Sequence, residues 1–561
     1  MQSEAVSQTT GDNDDATSAK APIPVEDADQ TSPVTTEDQG TQSAIDPAPP
    51  ALNPIVEALL TTLTSQEQTT LKASKAEAEA LKRFYAAAGR EPIWLEDDKV
   101  TDNAKQVIDE IKNADDWGLK ASAFDLPTAT LAPATNNALA LFELKLSLAA
   151  LRYANHAAGG RLKPRAVSRL FDQKPETPQP VAFLWKIAAT ADPDKLLRDQ
   201  HPTHPQFHKL RQALLAERQK ERQEKVDAAT ATVEDTSAAK QSKTKKKAAK
   251  KKFRQQAFIR QIIANMERWR WMPRQLGDFY VWDDVPEQTT SVIKNGKVVL
   301  KEKIIVGKPK TPTPIFSDEM ELIIFHPSWG VPPGMKKNEL WPKLRNTGGG
   351  WFSNKPLASS VLKAHRLNVT RGGVPVNPDS INWSNVNIAN YHFTQPPGPK
   401  NVLGVVKFRF PNKHNVYMHD TPERHLFGGS NRSFSHGCMR VQNPVRLAEV
   451  LLEHDKGWSK AQVRNHKRKG RRIKLTKPIP VHIAYFTVHV DDDGQTQVRR
   501  DLYGLDRRVA SAIEGRRVRV GVPLASPKKQ TAKKRRVAKK KKAKRRTAKR
   551  SEPFNPFAST D

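Results

Sequence analysis

Charge is segregated along this chain, and the segregation limits which residues can fold. Residues 1 to 46 hold ten acidic residues against one Lys, among Ser, Thr, Gln and Pro. Between Lys240 and Lys252 eight of thirteen residues are Lys, and between Lys528 and Arg550 fifteen of 23 are Lys or Arg with no acid. Such segments bury too little apolar surface to offset the conformational entropy lost on ordering. The organisation expected from this is a disordered acidic tail over 1–50 and a folded region over 51–216. A charged, Lys-rich linker follows over 217–252, then a second folded region over 253–507 and a disordered Lys/Arg-rich tail over 508–561. The 41 prolines among 561 residues agree with a chain that is only partly packed.

The first region repeats apolar residues at helical spacing over Ala51 to Leu63, Leu71 to Ala88, Asp102 to Ala114, Asn137 to His156 and Pro205 to Ala216, so it reads as all-helical. The second changes period. Phe279 to Trp282 alternates as a strand, and Thr290 to Ile293 and Val298 to Val306 flank Asn295-Gly296, the dipeptide suited to a two-residue hairpin turn. Further strands are expected at Leu322 to Phe325, Val402 to Phe410, Asn415 to His419, Ile479 to His489 and Thr496 to Val498. The stretch 328–399, rich in Gly, Pro and Asn and including Gly348 to Gly350, is too long for a plain connection and reads as a lid or capping subdomain. The fold class is α+β multidomain: a helical domain, a mostly-β domain with a cap, and disordered termini.

The formal charge of +33 is typical of chains that meet polyanions. The basic tail alone would favour nucleic acid, but it carries no aromatic residue for base stacking and no groove-reading fold precedes it. Such segments bind any polyanion, so nucleic acid and an anionic envelope polymer both stay open as partners, nucleic acid the weaker of the two. No uncharged apolar run of about 18 residues is present, and Ala138 to Ala154 reads as an amphipathic helix. Gln2 to Asp15 is polar and acidic where a secretory signal would stand, which taken alone means cytoplasm unless the start has been trimmed or misassigned.

One residue concentrates the chemistry. Cys438 is the single cysteine, so no intramolecular disulfide or multi-thiolate zinc site can form. It lies in Ser433-Phe-Ser-His-Gly-Cys-Met-Arg-Val441, nineteen residues after His419 in Val416-Tyr-Met-His-Asp-Thr-Pro422. Attack by a thiol on an acyl carbon needs a thiolate, hence a proton acceptor and nearby positive charge, which His419, His436 and Arg440 supply. The amides of Gly437 and Cys438 are candidate oxyanion donors. Asn443-Pro444 reads as the cap and first position of a helix through His454. The bland readings are a small buried core thiol, a structural ion pair at Arg440, and a metal cluster of His414, His419, His425, His436 and Cys438. The spacing of that cluster fits no common zinc pattern, and no metal or cofactor is expected.

These residues resemble the L,D-transpeptidases with a YkuD-type catalytic domain, in particular the long, YcbB-like form. The resemblance rests on His419 to Pro422, on Ser435-His-Gly-Cys-Met-Arg440 and on Pro397-Gly-Pro-Lys-Asn-Val-Leu-Gly404. It extends to Asn265 to Pro273, Trp329-Gly-Val-Pro-Pro333, Tyr485 to Thr487, Asp501 to Gly504 and, in a helical scaffold domain, residues 83–95. It implies that Cys438 attacks the carbonyl between the third and fourth residues of a peptidoglycan tetrapeptide stem, with His419 as base and terminal D-Ala leaving. The thioacyl-enzyme is then resolved by the amine of a neighbouring stem or of an outer-membrane protein; resolution by water would make it a carboxypeptidase or thiol hydrolase. His436 and Gly437 are implied as catalytic positions, and Arg440, Ser435, Tyr417 and Trp329 as substrate-binding ones. The resemblance also implies a periplasmic or cell-envelope location and acylation by carbapenems. The small wall-binding module of the long form has no counterpart here; the charged stretch Glu217 to Lys252 stands in its place.

Overall fold

The computed structural model describes residues 52 to 520 apart from 65–70, 88–89, 129–134, 231–237, 349–353 and 519. The expected acidic tail over 1–50, the Lys/Arg run over 528–550, and Gly349 and Gly350 lie outside the described residues.

The helical part comprises α1 (Pro54–Thr64), α2 (Lys75–Tyr85), a two-strand ribbon of β1 (Leu95–Glu96) and β2 (Lys99–Val100), α3 (Asp102–Lys112), α4 (Asn136–Gly159), α5 (Pro164–Val167), α6 (Pro180–Ala189), α7 (Pro193–Arg198), α8 (Pro205–Thr230) and α9 (Ala238–Trp269). Ser74 and Glu77 form a reciprocal capping box on α2, and the Thr101 and Thr135 hydroxyls cap α3 and α4, which fixes where these helices begin. Helix α4 runs through the middle of the core. Its Glu143 is fully buried and accepts hydrogen bonds from the Tyr85 hydroxyl (2.6 Å) and the Trp94 amide (3.0 Å). Burial pushes the Glu143 carboxyl up to about 7.

The expected linker over 217–252 is a correction. Residues 217–230 continue α8, and residues 238–252 open α9, which runs without interruption past the expected boundary at 253. Composition explains the difference: no Gly or Pro occurs between Gln206 and Met272, and Ala, Lys, Arg, Gln and Glu are strong helix formers. Lys251 pairs with Glu224 (2.7 Å) and Gln255 donates to the Glu217 carbonyl (3.3 Å), tying the two helices together. The far end of α9 then enters the helical core through Ile259, Ile262, Met266 and Trp269, where Ala484, Phe486, Val488 and Val490 also pack. The helical and β parts thus meet in a shared apolar cluster rather than across a linker, while the barrel keeps a core of its own.

The β part follows in chain order: β3 (Phe279–Asp284), β4 (Thr289–Lys294), β5 (Lys297–Gly307), β6 (Phe316–Phe325), β7 (Trp329–Gly330), β8 (Asn368–Arg371), β9 (Val374–Pro375), β10 (Tyr391–Gln395), β11 (Val406–Arg409), β12 (Met418–His419), β13 (Ser433–Ser435), β14 (Met439–Val441), β15 (Arg472–Ala484), β16 (Val488–Val490) and β17 (Thr496–Val498). Nine of these form one sheet in the order β13-β5-β14-β12-β11-β6-β15-β3-β4, and an added β4–β5 pairing closes it into a barrel-like form. The β4–β5 turn is built on Asn295 (φ 50) and Gly296 (φ 75), both in the left-handed region that a type I′ hairpin demands. Strand β15 begins earlier than its apolar pattern predicts, because Arg472 to Lys474 pair with β6 before an irregularity that ends at Ile479. The helix Leu505–Ile513 crosses the expected boundary at 508, and Arg268 of α9 pairs with its Asp506 (2.7 Å).

Between β6 and β11 the capping region forms a separate four-stranded sheet, β7-β10-β8-β9, with short helical turns and its own core of Trp329, Leu340, Leu344, Leu362, Trp383 and Phe393. The helix after β14 spans Pro444–Lys456 with Asn443 at its cap position, but the Asn443 amide donates to Glu302 (2.9 Å) and makes no side-chain cap bond, contrary to the capping role expected for it.

Candidate active site

Strand alternation assembles the site. β12 and β14 are parallel neighbours with Met418 opposite Met439 and His419 opposite Arg440. Successive side chains on a strand point to opposite faces. Met418 and Met439 accordingly enter the barrel core, while Tyr417, His419, Cys438 and Arg440 line one cavity of about 380 Å³. Trp329 and Glu339 from the capping subdomain line the same cavity. A larger cavity of about 700 Å³ sits where the helical and β parts join, lined by Trp269, Trp282 and Phe486 among others, and does not contain Cys438.

The loop that carries Cys438 is held from below. Gly437 takes φ 115, a backbone conformation readily open only to glycine. Thr313 donates its hydroxyl hydrogen to the Gly437 carbonyl (2.9 Å) and accepts from the Gly307 amide (3.0 Å). Ser435 closes the loop on itself: its hydroxyl donates to the Cys438 carbonyl (2.6 Å) and accepts from the Gly437 amide (3.1 Å). This corrects one expectation, the Gly437 amide as an oxyanion donor. The Gly437 amide is already engaged, and the Ser435 hydroxyl shapes the loop although the residue lines the cavity. The Cys438 amide has no acceptor among the described residues, so of the two expected oxyanion donors it is the one left open.

Cys438 is partly exposed. Its thiol points at the Asn415 carbonyl (3.8 Å), and its sulfur receives hydrogen bonds from the backbone N–H and the hydroxyl of Tyr417. Close packing around it pushes the thiol above its ordinary range, against those two donors and the charges of Lys407 and Arg440. The Tyr417 hydroxyl in turn accepts from Trp329, which links the cap to the sulfur. Lys407 lies 3.8 Å from the centre of the Tyr417 ring.

His419 is buried and its Nδ1 faces the Asp420 carbonyl. A carbonyl oxygen can only accept, so Nδ1 carries the hydrogen and Nε2 is left as the acceptor. Burial and then the Arg440 charge push His419 down to about 3, so the resting imidazole is neutral. Arg440 forms an ion pair with Glu423, the structural role weighed for it, while still lining the cavity. His436 Nε2 meets Glu339 of the cap at 2.9 Å. His414 pairs with Asp172 (2.9 Å) and also lines the cavity. Among the described residues no group of three or more His, Cys, Asp and Glu side chains is placed to hold a metal.

Three participants escaped the sequence reading: Lys407, Thr313 and Glu339. Lys407 is in an expected strand but nothing local marks it, and Thr313 and Glu339 reach the site only through folding. Asp420 stood inside the His419 to Pro422 motif, and its role as the tautomer-setting carbonyl belongs to its backbone.

Residues 278–474 match the family of L,D-transpeptidase catalytic domains of the YkuD type, and residues 79–214 match the Scaffold domain family. The chain therefore carries an L,D-transpeptidase catalytic domain beside a helical scaffold domain. A curated Haemophilus influenzae protein described as a candidate L,D-transpeptidase is 27% identical over 259 residues, covering 45% of this chain and 49% of that protein. The chain thus spans about half the length of this curated relative. Among solved structures, an Enterococcus faecium L,D-transpeptidase mutant is 15% identical, covering 37% of this chain and 50% of that one, with a TM-score of 0.15. An L,D-transpeptidase from Mycobacterium smegmatis is 16% identical, covering 36% and 58%, with a TM-score of 0.15.

Proposed function

We propose that this protein is a peptidoglycan L,D-transpeptidase of the cell envelope, working through a Cys438 thioacyl-enzyme. The observation that carries the reading is the shared face of β12 and β14, which directs Tyr417, His419, Cys438 and Arg440 into one capped cavity. In the resting site both thiol and imidazole are neutral, so the thiol proton passes to His419 Nε2 as sulfur attacks the carbonyl before the terminal D-Ala. The oxyanion forms beside the Cys438 amide, and the Tyr417 N–H and hydroxyl stabilise charge on sulfur. Collapse breaks the C–N bond, the proton held by His419 goes to the leaving D-Ala amine, and the stem stays on sulfur. An amine, from a second stem or an outer-membrane protein, then takes the acyl group.

The location, the amine acceptor and reaction with carbapenems belong to the same proposal, as does attraction of the basic tail to anionic envelope polymers. The experiment is incubation of the full chain with a defined tetrapeptide muropeptide, followed by mass analysis. An adduct on Cys438 and release of D-Ala are expected, both absent in Cys438→Ala. Undiminished D-Ala release by that variant would sink the assignment.

A further inference from the structure

The cavity contains a carboxylate that the donor half of this reaction does not use. Glu339 sits on the helical turn Lys336–Leu340 of the cap. That turn is pinned where the buried Lys336 ammonium donates to the carbonyls of Ala389 (3.2 Å) and Tyr391 (2.8 Å). One Glu339 oxygen meets His436 Nε2 at 2.9 Å. The other, Oε2, is buried with no hydrogen-bond partner. A buried carboxylate oxygen left in that state is costly unless a ligand satisfies it. The cavity has one other carboxylate in its wall, Glu423, and that one is paired with Arg440.

The two ionic groups also stand at different ends of the nucleophile. Arg440 and His419 lie beyond Cys438 along β14 and β12, whereas His436 precedes it in the loop and brings Glu339 with it. We propose that Glu339, with His436, forms an acceptor subsite that binds the primary ammonium group which resolves the acyl-enzyme. This rests on the transpeptidase reading above and assigns the half of the reaction that reading leaves open.

The proton balance requires such a group. An amine arriving as R–NH3+ loses two protons in becoming an amide. The Glu339 carboxylate takes the first and returns it to solvent, freeing the nitrogen lone pair. The N–C bond then forms and the C–S bond breaks. The second proton passes through His419 to the sulfur and restores the Cys438 thiol. The net result is one amide, one free thiol and one proton released.

The test uses the full chain acylated with the tetrapeptide and two acceptors. One is Nα-acetyl-lysine amide, cationic at neutral pH; the other is O-methylhydroxylamine, which is uncharged there. The readout is the ratio of aminolysis to hydrolysis per acyl-enzyme, from which any loss of folded protein cancels. Removing one charge-assisted contact predicts that Glu339→Gln lowers the ratio for the lysine amide about tenfold. The ratio for O-methylhydroxylamine changes much less, and Glu339→Asp recovers part of the loss. An equal fall for both acceptors would show that Glu339 only holds His436 or the cap, and an unchanged ratio for both would equally overturn the subsite. A wild-type chain that never acylates would overturn the transpeptidase reading instead.

Discussion

Replacing Tyr417 by Phe tests how the site holds charge on sulfur. The substitution removes one hydroxyl and keeps the ring that faces Lys407 at 3.8 Å. What is lost is the O–H donated to the Cys438 sulfur; the Tyr417 N–H, Lys407 and Arg440 remain. A hydrogen bond to a charged group contributes about 1.5–3 kcal/mol, and with three stabilising groups left the lower end applies, about 1.5 kcal/mol. That corresponds to about tenfold less thiolate at a given pH. The assay is the rate of iodoacetamide alkylation across pH, and because the chain has one cysteine every label reports Cys438. The wild-type rate is expected to rise in a single step above the ordinary thiol range with no plateau on the acid side. His419, pushed down to about 3, cannot hold a thiolate as an ion pair at mildly acid pH. Tyr417→Phe moves that rise to higher pH by about one unit, following the same energy. Coincident profiles for the two proteins, or an acid plateau in the wild type, would refute the reasoning.

Two further outcomes are expected. Asp283 is buried across from Thr290, and burial pushes its carboxyl up to about 7, so between about pH 4 and 7 the folded state keeps a proton that the unfolded state has released. Stability therefore falls as pH rises through that window; Asp283→Asn should flatten the dependence and stabilise the protein at pH 8 by roughly 2–4 kcal/mol in urea titrations. Equal slopes for both proteins would count against this. Thr313→Val removes the hydroxyl that joins Gly307 to Gly437, leaving a buried carbonyl and amide unpaired at about 1–3 kcal/mol each. Its acylation rate at 15 °C should fall while Thr313→Ser retains most of it; an equal loss in both variants would show that the hydroxyl is not the cause.

The site was legible where its signals are local. A lone thiol between His436-Gly437 and Met439-Arg440, and a histidine at the end of an alternating strand, mark their chemistry in the order of residues. The Asn295-Gly296 turn was readable for the same reason, since a two-residue turn is set by which residues tolerate a positive φ. The readings that changed depended on context. Lys-rich sequence reads as a linker because charge opposes burial, yet those residues favour helix, and residues 238–252 are carried by the α9 turns beyond them that enter the core.

The sequence by itself singled out Cys438 and His419 as the candidate reacting residues, the two structural classes, and the presence of an insertion long enough to cap a site. Tertiary structure alone decided what surrounds the sulfur. The parallel register of β12 and β14 puts Tyr417 and His419 on the face of Cys438, and the fold of the cap brings Trp329 and Glu339 over it. It also decided that the Gly437 amide serves the loop and that Arg440 is paired with Glu423. The physical reason is that turn and strand preferences act over a few neighbouring residues. Which side chains share a cavity depends instead on strand pairings and apolar packing between segments far apart in the chain.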